Sequence, residues 1–128
     1  PSLVGSEMCI RDRIETQGLT FKALKTLKDA GILFAITTDH PVVGIHYLLL
    51  CAIMGIKQGL DEQSALEAIT INPAKILGID DRVGSLEVGK DADILIVGGD
   101  PFDIRSHIEK TMINGEIVFD IDKDEPPF

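Results

Sequence analysis

Apolar positions change their spacing three times along this chain, and the changes predict its elements. Phe21, Leu24 and Leu27 recur at helical spacing, with Lys22, Lys25 and Lys28 on the other side. Thr20 before them is a capping residue and Gly31 after Ala30 a stop, so a helix is expected over 20–30. Ile32 to Ile36 are then apolar at every position. Such a run suits a parallel strand covered on both faces. Helix, glycine and buried strand make the αβ half of a βαβ repeat.

A second helical stretch is expected over 43–58, ending near Gly59, and a third begins at the cap Asp61 and runs to about Ile69. Asn72-Pro73 reads as the start of a short helix, with Asn as N-cap and Pro at the first helical position, stopping at Gly78. Beyond Gly84 the spacing becomes that of strands. A short strand is expected between Gly84 and Gly89, and a strongly apolar one over 92–97, closed by the breaker cluster Gly98-Gly99-Asp100-Pro101. Strands over 108–113 and 116–119 flank Asn114-Gly115, a two-residue hairpin signal because both turn positions need positive φ. Residues 121–128 are acidic and end in Pro-Pro-Phe, which predicts a loose tail.

Residues 1–13 stand outside this pattern. Leu3 to Asp12 are what a transposon sequencing adapter encodes in one frame, with ATG TGT ATA AGA GAC giving Met8-Cys9-Ile10-Arg11-Asp12. The stretch is set aside as a sequence artefact, so the protein's own residues are expected to begin at Ile14 and to have continued upstream.

The net charge is −9, and Glu7 and Asp12 offset Arg11 and Arg13, so the remainder carries −9 as well. That balance argues against nucleic acid or an anionic membrane as partner, since both need clustered Lys and Arg. With Cys9 set aside, Cys51 stands alone in an apolar helical run; one thiol makes no disulfide framework and fits a reducing cytoplasm. The apolar run 42–56 is broken by Gly44, His46 and Gly55 and is shorter than the roughly 18–20 residues a membrane span needs.

The candidate chemistry sits at Thr37-Thr38-Asp39-His40-Pro41. A carboxylate directly after a buried strand faces the active site if that strand belongs to a (β/α)8 barrel. It can then ligate a divalent metal and carry a proton from metal-bound water to the leaving group. Thr37 and Thr38 can donate hydrogen bonds that orient the carboxylate. A capping role for Asp39 is the plain alternative. His40 and His46 are weaker candidates for substrate or supporting contacts, with a packed histidine as the alternative for His46. His107, Glu62, Glu67, Asp91 and Asp93 read as surface or turn residues, and Tyr47 and Met54 as core.

Three runs carry a resemblance to a known family: Gly31 to Pro41; Ala-Ile-Thr-Ile-Asn-Pro-Ala-Lys-Ile-Leu-Gly-Ile from Ala68 to Ile79; and Gly-Ser-Leu-Glu-Val-Gly-Lys-Asp-Ala-Asp-Ile-Leu-Ile-Val from Gly84 to Val97. With the hairpin at Asn114-Gly115, residues 19–119 resemble the C-terminal part of a metal-dependent amidohydrolase of the imidazolonepropionase-like branch. The resemblance implies an α/β fold, the end of a TIM-type barrel joined to part of a small composite β-sandwich. It divides the chain into 14–82, the last αβ unit and its helices, and 83–120, the sandwich return strands. It implies a hydrolase acting on amide, cyclic amide or amidine C–N bonds, with zinc, or iron, as cofactor and a small-molecule substrate. Of that family's ligands only the final aspartate carries over, onto Asp39; the His-x-His pair, the central lysine and the later histidines have no counterpart. The chain alone is therefore expected neither to hold a catalytic metal nor to turn over substrate, and the parent is compatible with a homo-oligomer. Two other classes stay open: a metal-free amidohydrolase-like assembly protein, and an independent small α/β binding module.

Overall fold

The structure, a computed structural model, describes residues 21–124. The adapter-like residues and Thr20 lie outside them. Four α-helices precede three strands: α1 (Lys22–Asp29), α2 (Leu48–Lys57), α3 (Glu62–Ile69), α4 (Ile71–Leu77), β1 (Ile94–Gly98), β2 (His107–Ile113) and β3 (Glu116–Asp120). A 3-10 turn over Ile45–Tyr47 leads into α2.

The helix ends follow from local chemistry. At the end of α1, Gly31 takes φ +68°, and its N–H donates to Lys28 O at 2.8 Å. The next N–H, of Ile32, donates to Leu27 O at 3.0 Å. This paired closure satisfies carbonyls that a helix end otherwise leaves open. Gly59 ends α2 the same way, with Leu60 N–H on Gly55 O at 3.1 Å. Asp61 caps α3 by accepting from Ser64 N–H at 3.0 Å, and its carboxylate also pairs with Lys28 of α1.

Two helix starts differ from the sequence expectation. The helix expected from residue 43 begins as α only at Leu48. Val42 N–H donates to Asp39 O and Val43 N–H to Thr38 O, and Gly44 is extended at ψ 137°, so the chain hooks back before it can wind. Asn72 is not a cap: α4 starts at Ile71, Thr70 precedes it at φ −127°, and Asn72 is buried inside the first turn. Pro73 still falls within that turn, where an N–H has no intrahelical partner to lose.

Residues 32–38 run extended without ladder partners among the described residues. Phe34, Ile36 and Thr38 are buried, whereas Ile32 and Leu33 are 37% and 41% exposed. The expected coverage of both faces is thus met on one: Phe34 and Ile36 join Leu24, Cys51, Ala52 and Leu60 in the core, under α1, α2 and α3. Small residues at Ala52, Ala65 and Ala68, each with no exposed surface, let the helices come close.

The β-part is an antiparallel sheet in the order β1-β2-β3. Asn114 and Gly115 take φ +51° and +82°, and Ile113 pairs with Glu116, as a two-residue hairpin requires. The apolar strand expected from residue 92 pairs only from Ile94, because Ala92 and Asp93 hold the hairpin tip instead: Gly115 N–H donates to Ala92 O at 3.0 Å and Asn114 N–H to Asp93 Oδ1 at 2.9 Å. The short strand expected between Gly84 and Gly89 does not form. No described strand lies alongside it, Leu86 and Val88 are exposed, and Lys90 holds the loop through Asp80 O at 2.5 Å, Ser85 Oγ at 2.6 Å and Glu87 Oε2 at 2.7 Å.

Segments flanking the sheet also touch the helices. Phe102, in the β1–β2 loop, packs against the helical core. Gly84 crosses α4 so closely that a Cβ there would lie 2.9 Å from Ala74 Cβ and 3.0 Å from Ile71 Cα. Residues 121–124, expected as the start of a loose tail, are fastened: Ile121 N–H donates to Glu109 O and Asp120 N–H to Asp124 Oδ2. Residues 125–128 lie outside the described set. No helix among the described residues is long and apolar enough to cross a membrane.

Candidate functional site

Alternation along 32–38 decides where the chemistry points. With Phe34, Ile36 and Thr38 turned to the helices, Leu33, Ala35 and Thr37 fall on the opposite face. Asp39 follows at the C-terminal end of this segment, exposed, at φ +53°. A positive φ is uncommon outside glycine and most readily tolerated by Asp and Asn. The turn is held by three hydrogen bonds: Asp39 N–H donates to the Thr37 hydroxyl Oγ1 at 3.2 Å, Val42 N–H to Asp39 O at 2.9 Å and Val43 N–H to Thr38 O at 3.3 Å.

The two threonines act differently from the sequence expectation. Neither hydroxyl bonds the Asp39 carboxylate among the described contacts. Thr37 instead accepts from the Asp39 backbone, and Thr38 is buried on the helix side. The Asp39 side chain has no hydrogen-bond or ion-pair partner among the described residues, so it is not a helix or turn cap here.

His40 is exposed beside Asp39, joined to Pro41 by a cis peptide. His46 sits on the 3-10 turn and lies back over Gly44, where a methyl group would overlap its ring. Its ring is 4.1 Å from that of Tyr47, tilted by 52°. Tyr47, expected in the core, is 46% exposed. Val42 and Ile45, 62% and 64% exposed, stand on the same short loop. The exposure of Ile45 and Tyr47 was hidden in the sequence, because a continuous helical reading of 43–58 places them in a core helix.

Several other carboxylates have structural partners. Asp91 takes Arg82 at 2.7 Å, which raises the Arg82 pKa above its ordinary value through that hydrogen bond. Glu87 is held below the usual carboxylate range first by Lys90 and then by Ser85. Glu67 accepts from Gln63 on α3 at 2.7 Å. His107 begins β2, exposed. Asp120 is buried and paired with Lys110 at 2.7 Å, which holds its carboxyl below the ordinary value.

No three His, Cys, Asp or Glu side chains come together to hold a metal among the described residues. Asp39 fits one ligand position, since it is an accessible oxygen donor without a competing cation among the described residues. A whole metal site needs three or four ligands.

Residues 8–118 match the family model described as the amidohydrolase family. Among curated relatives, the amidohydrolase tasK of Hapsidospora irregularis is 34% identical over 101 residues, 79% of this chain and 10% of the relative. The imidazolonepropionase of Thermoplasma volcanium is 33% identical over 100 residues, 72% of this chain and 25% of that enzyme. The crystal structure of an amidohydrolase from Thermotoga maritima superposes with a TM-score of 0.89 at 39% identity, covering 94% of this chain and 31% of that one. The chain thus spans between a tenth and a third of the length of the proteins it matches.

Proposed function

The chain belongs to the amidohydrolase family, and from that premise we propose that it is the C-terminal part of a metal-dependent hydrolase attacking amide, cyclic amide or amidine C–N bonds. The observation that carries the proposal is the placement of Asp39. It ends an extended segment that is covered by helices on one side only, and its carboxylate has no partner among the described residues. In a (β/α)8 barrel such a position faces the catalytic mouth. The face carrying Leu33 and Ala35, turned away from the helices, belongs, on this account, against the remaining barrel strands of a longer protein.

In that longer protein Asp39 supplies one ligand to a divalent metal, zinc or alternatively iron. When bound, such a metal polarises the scissile bond's carbonyl-type carbon and acidifies water. The chain's own part is to hold a carboxylate where it can take up a proton. The Thr37 hydroxyl fixes the Asp39 backbone, and the hooks to Val42 and Val43 fix the turn. His40 and His46 remain candidate substrate contacts, of which His46 is braced against its own loop. Other ligands come from residues beyond this chain, so the chain alone turns over no substrate.

The test uses the full-length protein, recovered by sequencing the source DNA upstream of Ile14. Purified with zinc, it is assayed for hydrolysis of amides and cyclic amides, with metal content measured in parallel. Asp39→Asn is expected to lose hydrolysis by at least about a hundredfold, the scale of a lost proton-transfer group. Full activity in Asp39→Asn refutes the assignment. An upstream frame without histidine ligands favours the metal-free assembly protein instead.

A further inference from the structure

The tip of the β2–β3 hairpin carries a reactive dipeptide, Asn114-Gly115. The side-chain amide carbon of an asparagine and the backbone nitrogen of the next residue can close a five-membered ring. Glycine leaves that nitrogen unshielded, because it has no Cβ. Both backbone amides of the pair are nonetheless held from outside the hairpin. Gly115 N–H donates to Ala92 O at 3.0 Å, and Asn114 N–H to Asp93 Oδ1 at 2.9 Å. Asp93 lies 21 residues before Asn114, so this clasp is a product of the fold and not of the turn itself. Ring closure needs the Gly115 nitrogen freed of its proton and turned onto Asn114 Cγ. A proton engaged by a carbonyl is harder to remove, and a turn bonded at both amides cannot rotate until it opens locally.

Independently of the hydrolase proposal, we infer that Asn114 is a deamidation site that Ala92 and Asp93 keep shut in the folded protein. When the clasp opens, the Gly115 nitrogen gives its proton to solvent and bonds to Asn114 Cγ. The Cγ–Nδ2 bond breaks, and Nδ2 takes a proton from solvent and leaves as ammonia. Water then opens the ring at either carbonyl carbon, giving an aspartyl or an isoaspartyl residue at position 114. No oxidant or reductant takes part. Either product places a second carboxyl group beside Asp93, where like charges repel. The isoaspartyl form also adds a methylene to the main chain, which a two-residue turn with Ile113 opposite Glu116 does not accommodate. Conversion therefore loosens the tip and does not reverse.

The experiment incubates the full-length protein at neutral pH and follows Asn114 by peptide mapping with mass spectrometry. A synthetic peptide of residues 108–120, which has no clasp, is incubated beside it. The intact protein is expected to convert at least about tenfold more slowly than the peptide, the scale set by a hydrogen bond to a charged group. Asp93→Ala is expected to convert at least about tenfold faster than wild type, for the same reason. Hydrogen exchange on that variant should show β1 and β2 still protected, so that the gain comes from the tip. Asp93→Asn keeps an oxygen acceptor and with it the slow rate. Wild-type protein that converts as fast as the peptide overturns the inference. So does a folded Asp93→Ala protein that converts no faster than wild type. Should Asp93→Ala fail to fold, the comparison of wild type with the peptide decides by itself, and equal rates refute the guard.

Discussion

The backbone N–H of Ile36 donates to the carbonyl of Ala68 at 2.9 Å, linking the extended segment 32–38 directly to α3. An amide of the extended segment bonded to a helix carbonyl fixes how the segment is rotated. Phe34, Ile36 and Thr38 are turned to the helices, and the turn at Asp39 is presented beyond them. Ala68 has no exposed surface, so this contact lies inside the core.

The core beneath this contact is small, so each large side chain carries much of it. Phe34→Ala is expected to cost about 3–5 kcal/mol, the range for emptying a buried aromatic site. Denaturant titration measures this as a drop in midpoint with an unchanged slope. A cost under about 1 kcal/mol would mean that Phe34 is not a core residue.

Gly84 and Gly31 separate two reasons for glycine. Gly31→Ala meets no atom within 4 Å and pays only for φ +68°, so about 1 kcal/mol is expected. Gly84→Ala adds a clash with Ala74 and the Ile71 backbone, where overpacking typically costs a further ~1–3 kcal/mol. Thermal melts of the two variants side by side check the order, which an equal loss would contradict.

The Lys110–Asp120 pair makes the sheet acid-sensitive. Lys110, and after it the backbone of Asp122, holds the Asp120 carboxyl below its ordinary value of 3.8. A depressed carboxyl contributes stability that is present above the unfolded pKa and lost as pH falls through the folded one. The sheet should therefore lose stability below about pH 4, the region of an ordinary Asp. Asp120→Asn should flatten that acid limb, as followed by circular dichroism against pH; an unchanged limb would assign it to other carboxylates.

Phe102 is the apolar tie between the β1–β2 loop and the helical core. Phe102→Ser should raise hydrogen exchange in β1 and β2 while leaving α2 and α3 protected, because local opening follows lost apolar contact. Uniform loss of protection would mean that sheet and helices unfold as one unit.

Much of the fold was legible because its signals are local. Gly31, Gly59 and Gly78 end helices as their spacing predicts, Asp61 caps α3, and Asn114-Gly115 makes the hairpin. Each depends on residues within a turn of itself. What the sequence hid depends on distant partners. Leu86 and Val88 alternate like a strand, yet a strand needs a neighbour to bond. The start of α2 is delayed by amides that bond back to Thr38 and Asp39. The exposure of Tyr47 follows from that delay. Asp39 was legible as a candidate, but its positive φ and its lack of a side-chain partner among the described residues appear only in three dimensions.

The most direct test is anomalous diffraction from crystals of the full-length protein grown with zinc. The account predicts a zinc peak at about 2.0–2.2 Å from an Asp39 carboxylate oxygen, the usual zinc–carboxylate distance. A zinc site elsewhere, with Asp39 turned away into solvent or onto a backbone amide, would contradict it.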